Sequence, residues 1–278
     1  MKEFMNTNEE NIFSSTQYAS ADNLHARWNL YDFVRPKVDI HKLGIEHLHL
    51  GGLEDVLEVG CGDGSVLTGL RQSGHCGKLV GMDLNENMFK TPIGMTDSIN
   101  GLLPIEYSVG SADQLSYPDK SFDIVLAFFM LYHMPDIQKT LREWKRVLKD
   151  DGKLLVATSS QYNKPKQKIF KKMAETLTRK TAPSQFSSSF NMENAREQLA
   201  RVFRIKDVYT YKGNIEIQNA EPYLQSFLST KDLYQPPLLE DEWNLVENNV
   251  RLYIEEEIKQ TGIFTDYVER DFYICEKY

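Results

Sequence analysis

Short apolar runs alternate with longer amphipathic stretches along most of the chain. The apolar runs are five to ten residues long and rich in branched and aromatic residues, which favours strands over helices. Because such runs and helical stretches follow one another in turn, the pattern predicts an α/β fold. The predicted strands lie at 55–59, 78–83, 105–109, 121–130, 153–158, 204–211 (with 215–217 as a candidate continuation) and 271–275.

One amphipathic stretch is regular enough to define its buried face. Ile137, Leu141, Trp144 and Leu148 recur at intervals of four, three and four residues, which is the spacing of one helix face. We expect this helix to end at Gly152, because a glycine commonly follows the last helical turn. Other helices are predicted within 18–50 with a break at Pro36, after an N-cap at Asn85, within 161–180, over 192–203 and within 220–262.

A glycine-rich turn follows the first predicted strand. Gly60, Gly62 and Gly64 allow the main chain to bend sharply and allow a ligand to approach it, and a helical pattern begins at Ser65. The next predicted strand ends at Asp83, 19 residues beyond Gly64. A carboxylate at that place can accept hydrogen bonds from both hydroxyls of a ribose. The pattern therefore predicts a site for a nucleoside-containing ligand.

The glycine spacing distinguishes two families that use this layout. The dinucleotide fingerprint is G-x-G-x-x-G, whereas this chain has G-x-G-x-G because Ser65 follows Gly64, with Glu58 two residues before the first glycine. That pattern resembles class I S-adenosylmethionine (SAM) dependent methyltransferases, whose first motif is commonly E-x-G-x-G-x-G. Asp113 after Ala112, the F-D-I-V segment at 122–125, Y-H-M-P-D at 132–136 and G-K-L-L-V at 152–156 extend the resemblance over residues 50–160.

The resemblance implies a Rossmann-like, mostly parallel seven-stranded sheet flanked by helices, with helical N-terminal and cap insertions. It implies one domain overall, organised as an N-terminal helical lid (1–50), a SAM-binding core (51–160), a helical cap insertion (161–200) and a remainder of the core sheet with a second helical insertion (201–278). The resemblance is to the small-molecule branch, similar to methyltransferase domains 11 and 25.

The same resemblance implies SAM as the cofactor and S-adenosylhomocysteine (SAH) as its product. Asp113 would accept from the adenine amino group, Leu84 and Met88 would flank the adenine ring, and Arg27 would pair with the cofactor's carboxylate. A turn cap for Asp113 and a surface position for Arg27 are the structural alternatives. The implied cofactor residues are Tyr18, Arg27, Glu58, Gly60, Gly62, Gly64, Asp83, Leu84, Met88, Ala112, Asp113, Ala127 and Phe128. Tyr31 is expected near them.

The candidate general base is His133, because a neutral imidazole is available near pH 7. Tyr132 is a weaker candidate, and a histidine that bonds to main chain at the end of a strand is the structural alternative. No serine, histidine and acid set and no metal-ligand spacing is present in the sequence. We therefore expect no metal.

Composition and charge narrow the class of partner. The net charge of −8 on 278 residues argues against general nucleic-acid binding. Three cysteines and a polar first 20 residues predict a reduced, cytoplasmic protein without a signal peptide or membrane partner. Seven bases face one acid over 164–180, which favours either a solvated helix face or a phosphate or carboxylate site. A monomer or a homodimer is expected.

Taken with the resemblance, these features predict methyl transfer to an oxygen or nitrogen of a small-molecule metabolite or natural product. Two other functions stay open. One is methylation of RNA or protein, with the basic segment 164–180 as the docking surface. The other is SAM binding without catalysis. The residues do not exclude it, because they identify no certain catalytic base and a well-positioned nucleophile can react without one. The aromatic residues of the later segments are candidates for an acceptor pocket or for core packing: Tyr209, Tyr211, Tyr223, Phe227, Tyr234 and Trp243.

Overall fold

Eight strands and eight α-helices occur in the part of the chain that the structure, a computed structural model, describes: residues 21–90, 102–181, 188–234 and 236–278. The strands are β1 (Val34–Arg35), β2 (Val56–Val59), β3 (Leu79–Asp83), β4 (Glu106–Val109), β5 (Phe122–Phe128), β6 (Leu148–Ser159), β7 (Arg204–Ile217) and β8 (Phe264–Glu276). The helices are α1 (Ala21–Asn29), α2 (Ile40–Glu46), α3 (Ser65–Gln72), α4 (Ile137–Val147), α5 (Pro165–Thr178), α6 (Met192–Ala200), α7 (Glu221–Leu228) and α8 (Glu240–Thr261).

The strands form one sheet in the order β1-β7-β8-β6-β5-β2-β3-β4. The run from β6 through β5, β2 and β3 to β4 is parallel, and β8 lies antiparallel to β6. From β2 the chain adds β3 and β4 on one side, and from β5 it adds β6 on the other. The carboxyl ends of β2 and β5 therefore meet at a topological switch point, where open α/β sheets bind their ligands.

The central strands are apolar because helices cover both faces of a parallel sheet. Val56, Leu57 and Val59 of β2 have no exposed surface. On α4, Leu141 and Trp144 are likewise fully buried, as the helical spacing predicts. Burial of these side chains supplies most of the favourable free energy that holds the sheet together.

The predicted α/β class and mostly parallel sheet are confirmed, with eight strands in place of seven. The additional strand is β1, two residues long, in which Val34 pairs with Ile215 of β7. Residues 215–217 continue the sixth predicted strand without a break, since β7 runs to Ile217. A two-residue edge strand has no periodicity, so no sequence pattern predicts it.

The predicted end of the fourth helix is wrong. α4 ends at Val147, and β6 begins at the next residue and continues through Gly152. Gly152 is buried in the strand, where a β-carbon would lie 3.0 Å from the carbonyl oxygen of Asp123 and 3.0 Å from Leu148 Cδ2. The glycine therefore permits close packing beside β5 and does not cap a helix.

The helix predicted to follow Asp83 is also wrong. A single 3₁₀ turn, Glu86–Lys90, occupies that place. The amide of Asn85 donates to Asp83 Oδ1 at 3.0 Å, so the aspartate shapes the turn locally. Pro92 and Gly94, which end the pattern in the sequence, lie outside the described residues.

The chain divides into two compact units. The core unit contains Val38–Gln161, Gln185–Tyr211 and Glu269–Tyr278, and the helical unit contains Met1–Lys37, Tyr162–Ser184 and Lys212–Val268. The core unit includes β2 to β6, α2, α3, α4 and α6. α1, α5, α7 and α8 belong to the helical unit, and β7 and β8 each have residues in both units.

An aromatic cluster holds the helical unit together. Phe170 of α5 contacts Tyr223 and Phe227 of α7 and Phe264 of β8, with ring centroids 5.5 to 6.3 Å apart. Tyr234 is also fully buried. Of the aromatic residues with two predicted roles, Tyr223, Phe227 and Tyr234 are core residues of this unit.

The basic segment of the helical unit finds acidic partners far away in the sequence. Lys166 forms an ion pair with Glu257 of α8, and Lys180 Nζ lies 2.5 Å from Glu242 at the start of the same helix. The local excess of bases over 164–180 is therefore partly neutralised by the acidic C-terminal part of the chain. Among the described helices, none combines the length and apolarity that a membrane span requires.

Trp144 generates a prediction about the stability of the core unit. Its indole Nε1 donates to the carbonyl of Ala112 at 2.9 Å, and both groups are buried. We expect Trp144→Phe to lower the free energy of unfolding by about 2–4 kcal/mol, through the lost hydrogen bond and the smaller side chain. Denaturant titration measures this change. Arg142→Ala, on the exposed face of the same helix, is the control and should change stability by less than about 0.5 kcal/mol.

Candidate functional site

The glycine turn after β2 is held in a conformation that side chains disfavour. Gly60 has a φ of 69° and Gly64 a φ of 75°. A β-carbon on Gly60 would lie 2.9 Å from Met130 Cγ, and one on Gly64 would lie 2.1 Å from the hydroxyl oxygen of Tyr107. Both glycines are therefore required by the backbone and by the neighbouring side chains. Gly64 also precedes α3, so the turn leads into a helix N-terminus.

Asp83 connects the end of β3 to this turn. Its Oδ2 accepts from the amide of Gly62 at 3.0 Å, and its Oδ1 accepts from the amide of Asn85 at 3.0 Å. Burial raises the pKa of the Asp83 carboxyl, and the backbone hydrogen bonds oppose that rise. Each oxygen keeps a lone pair for a further donor. The carboxylate thus shapes the turn and still has acceptor capacity.

Glu58 is a deeply buried acid of the core unit. It is 2% exposed, and its Oε2 has no hydrogen-bond partner among the described residues. Burial raises the pKa of the Glu58 carboxyl well above its usual range, and the nearby charges of Asp63 and Asp83 raise it further. A buried carboxyl oxygen without a donor is costly. A cationic ligand beside the turn would offset that cost by favouring the ionised carboxylates.

Ala112 and Asp113 lie in the turn after β4. Asp113 accepts from Ser111 Oγ at 2.6 Å and from Lys139 Nζ at 2.7 Å. The hydrogen bonds from Lys139 and Ser111 hold the pKa of the Asp113 carboxyl below its usual range. Ala112 is fixed by the indole of Trp144. Asp113 is therefore ionised at neutral pH, with Lys139 as a competitor for any further donor.

The two predicted adenine neighbours have different environments. Met88 is 3% exposed and belongs to the 3₁₀ turn after β3, whereas Leu84 is 63% exposed. An exposed apolar side chain next to Asp83 is available to a ligand. Met88, in contrast, is part of the packed interior.

Ala127 and Phe128 are the last residues of β5. Their backbones pair with Val156 and Ala157 of β6, so their positions are set by the sheet register. Phe129, which follows, has a φ of 53°, a left-handed conformation that is uncommon outside glycine. The strand therefore ends in a sharp change of direction at the switch point.

Tyr132 and His133 lie in a 3₁₀ turn just beyond that point. Their ring centroids are 4.4 Å apart, and the amide of His133 donates to the carbonyl of Met130 at 2.9 Å. Ser189 Oγ donates to the carbonyl of Tyr132 at 2.8 Å. Both side chains are partly buried.

Two residues that the sequence did not single out, one histidine and one arginine, lie at the end of β5. The ring centroid of His41, in the first turn of α2, is 4.9 Å from that of Phe128. The guanidinium carbon of Arg270, on β8, is 4.8 Å from the ring centroid of Phe129. These contacts join residues more than 80 positions apart in the sequence, so no local spacing indicates them.

Three residues that the resemblance places near the cofactor lie in the N-terminal segment of the helical unit. Tyr18 lies outside the described residues. Arg27 belongs to α1 of the helical unit and is partly buried. Tyr31 of the same unit lies under Lys164, whose Nζ is 5.6 Å from the ring centroid. In the described residues, no group of three or more His, Cys, Asp or Glu side chains is arranged to hold a metal ion.

Comparison with known proteins agrees with this geometry. Residues 57–156, from the middle of β2 into β6, match a family model described as a methyltransferase domain. This segment is similar to a methyltransferase domain, which supports the resemblance to class I SAM-dependent methyltransferases. The family expected from the glycine spacing is thereby confirmed for the region that contains the turn, Asp83 and Asp113.

The matching relatives are similar to this chain over part of their length. The ubiquinone/menaquinone biosynthesis C-methyltransferase UbiE of Rickettsia akari is 35% identical over 120 residues, covering 42% of this chain and 47% of that protein. The uncharacterized methyltransferase YcgJ of Bacillus subtilis is 28% identical over 163 residues, covering 59% of this chain and 61% of that protein. The chain thus spans less than two thirds of either relative.

Solved structures share the fold more completely. The crystal structure of YcgJ superposes with a TM-score of 0.58 at 18% identity, covering 86% of this chain and 98% of that one. The [4+2]-cyclase SpnF has a TM-score of 0.54 at 18% identity, covering 86% of this chain and 80% of that one. Since a protein named as a cyclase has the same fold, the fold alone does not establish the reaction.

Asp83 generates the first prediction about the methyltransferase core. We expect Asp83→Ala to weaken SAH binding about tenfold to hundredfold, because hydrogen bonds to a charged group contribute roughly 1.5–3 kcal/mol. Isothermal titration calorimetry measures the change. Glu106→Ala, an exposed acid on the neighbouring strand β4, is the matched control and should bind normally. Unchanged affinity in folded Asp83→Ala would contradict the ribose assignment.

Glu58 generates a second prediction, on pH dependence. The raised pKa in the folded state means that the unfolded chain loses this proton first as pH rises above 4.5, so folding is weakened there. We expect Glu58→Gln to be more stable than the wild type at pH 7, with the difference shrinking as pH falls toward 4.5. Urea unfolding at several pH values tests this, with exposed Glu197→Gln as the control. A difference that does not vary with pH would refute it.

Proposed function

We propose that this protein binds SAM at the turn after β2 and transfers its methyl group to a small-molecule acceptor. The observation that carries the proposal is the buried Glu58 carboxyl beside Asp63 and Asp83, in the segment that matches a methyltransferase domain. In the part of the chain that the structure describes, Glu58 Oε2 has no hydrogen-bond partner. Such a cluster of acids favours a ligand with positive charge.

The charge of the ligand separates SAM from a dinucleotide. SAM has a cationic sulfonium and a cationic amino group, whereas the pyrophosphate of NAD is anionic. Asp63 and Asp83, whose charges raise the pKa of Glu58, would also repel a pyrophosphate held against the same turn. The glycine turn and its acids therefore fit SAM and do not fit NAD.

Individual residues would divide the cofactor among them. Asp83 would accept from the ribose hydroxyls with its remaining lone pairs, and Asp113 would accept from the adenine amino group. Leu84, exposed beside Asp83, and Met88 would border the adenine ring. The remaining proposed contacts would be made by main chain or by the acid near the end of β2: Glu58, Gly60, Gly62, Gly64, Ala112, Ala127 and Phe128. Arg27 and Tyr18 stay predictions.

SAM, when bound, supplies a methyl group on a sulfonium that is a good leaving group. The protein's share of catalysis is then to align an acceptor with that methyl group, and alignment contributes up to roughly 7–11 kcal/mol. An oxygen or nitrogen acceptor also has a proton to lose. His133, with Tyr132 as the weaker candidate, stays the base predicted from the sequence.

A small molecule is the acceptor class that the charges favour. The chain is acidic overall, and Lys166 and Lys180 of its basic segment are paired with acids of α8. Both features weigh against RNA docking. One relative is named as a C-methyltransferase of ubiquinone/menaquinone biosynthesis. Carbon is therefore a candidate methyl-accepting atom beside oxygen and nitrogen. Protein methylation, SAM binding without catalysis, the cytoplasmic location and the monomeric or homodimeric state stay predictions.

Two measurements test the proposed function. Calorimetry should detect binding of SAH and none of NAD, and the reverse result would refute the cofactor. The protein is then incubated with methyl-labelled SAM and an extract of its host cells, which is separated into small-molecule, RNA and protein fractions. We expect label in the small-molecule fraction, and none with Asp83→Ala. Label in RNA or protein, or label nowhere despite SAH binding, would refute the acceptor class.

A further inference from the structure

The first turn of α2 is fixed at the carboxyl end of β5. The Asp39 side chain caps the helix, accepting from the amides of His41 and Lys42 at 3.0 Å each. One turn later, a β-carbon on Gly44 would lie 2.8 Å from Phe272 Cδ1 and 3.2 Å from Phe128 Cε1. The glycine therefore lets α2 approach the sheet closely at this place.

The His41 ring is oriented by the aromatic residues that end β5. It contacts Phe128 edge-on, with planes 89° apart, and its centroid lies 6.5 Å from that of Phe129. Edge-to-face contacts of this kind restrict how a ring rotates. In the described part of the chain, neither ring nitrogen of His41 takes part in a hydrogen bond, although the ring is partly buried. A nitrogen in that state is available to a ligand.

Charged groups from three elements act on the imidazole. Burial is the main effect and lowers the pKa of His41; Asp39 raises it, Arg270 of β8 lowers it, and Asp63 of the glycine turn raises it. The net direction is downward, so the ring is neutral at pH 7 and one nitrogen has a free lone pair.

The same contacts locate His41 relative to the proposed cofactor site. Asp63 follows β2 and Phe128 ends β5, and these two strands border the switch point. Because the His41 ring contacts Phe128, it lies at the carboxyl end of β5, one of the two strands that border the crevice. An acceptor that meets a methyl group held at the glycine turn would approach through this crevice.

We propose that His41, rather than His133, is the catalytic base of the methyl transfer, and this rests on the proposed function. As the acceptor atom bonds to the methyl carbon, the carbon–sulfur bond breaks and its electron pair stays on sulfur. The proton of the acceptor passes to the unprotonated ring nitrogen of His41 and then to solvent. The protein needs no further co-reactant for this step.

The first test needs no acceptor. Histidine ring resonances are titrated by NMR in the full-length protein with SAH and with SAM, which differ by one methyl group and one positive charge. A unit charge within about 10 Å should lower the pKa of His41 by roughly one unit in the SAM complex. His47, in the same helical segment but stacked on Tyr209 at a centroid distance of 3.4 Å, is the internal control and should not respond.

The outcomes separate this proposal from the proposed function. If SAH and SAM both bind and the pKa of His41 is the same in the two complexes, the role of His41 is refuted while the cofactor assignment stands. If neither binds, the proposed function fails and this proposal fails with it.

The second test measures methyl transfer by variants, from methyl-labelled SAM to the acceptor in the extract. We expect His41→Gln to bind SAH within about twofold of the wild type but to lose methyl transfer by a factor of about 100 or more. The residual activity should lack the wild-type rise with pH through the histidine range. His47→Gln should retain full activity. Loss of activity in His133→Gln with retention in His41→Gln would overturn the proposal in favour of the base predicted from the sequence.

Discussion

The hydrogen bond from the Gly62 amide to the Asp83 carboxylate ties the turn after β2 to the end of β3. It joins two parallel strands at the carboxyl edge of the sheet, next to the switch point, and the acid that accepts it keeps acceptor capacity. The turn itself relies on backbone conformations that only glycine adopts readily. Without the anchor at Asp83, the strained turn would lose the contact that fixes its position relative to the next strand.

That arrangement places several acids close together in a partly buried region, where burial of a carboxylate lowers the stability of the fold. Glu58 lies in a strand between two fully buried residues, and no described residue donates a hydrogen bond to its Oε2. The apolar sheet around it supplies the stability that such a carboxyl removes. Stability given up at a binding site is regained when a complementary charge is bound, so the empty and loaded proteins should differ markedly in their resistance to unfolding.

Local sequence patterns predicted the parts of the molecule that local physics determines. The glycine spacing, the acid at the end of β3 and the helical face around Trp144 depend on neighbouring residues, and each is found as expected. The prediction that Gly152 ends a helix is wrong. A glycine is required there because β5 packs closely against it, and the sequence around Gly152 does not reveal that contact. The contact of His41 with Phe128 and the pairing of Lys166 with Glu257 are likewise long-range, so pattern analysis had no means to predict them.

The division of the chain has a consequence for ancestry and for engineering. Between the two units the polypeptide crosses five times, and residues 38–161 are the longest uninterrupted stretch of the core unit. The family match, 57–156, falls wholly inside that stretch. Sequence similarity to the family is thus detected in the segment where the chain forms the core unit without interruption. Exchanging the helical unit for that of a relative would require three separate segments to be replaced through five junctions, and a single crossover between homologous genes would produce a chimaera with an incomplete unit.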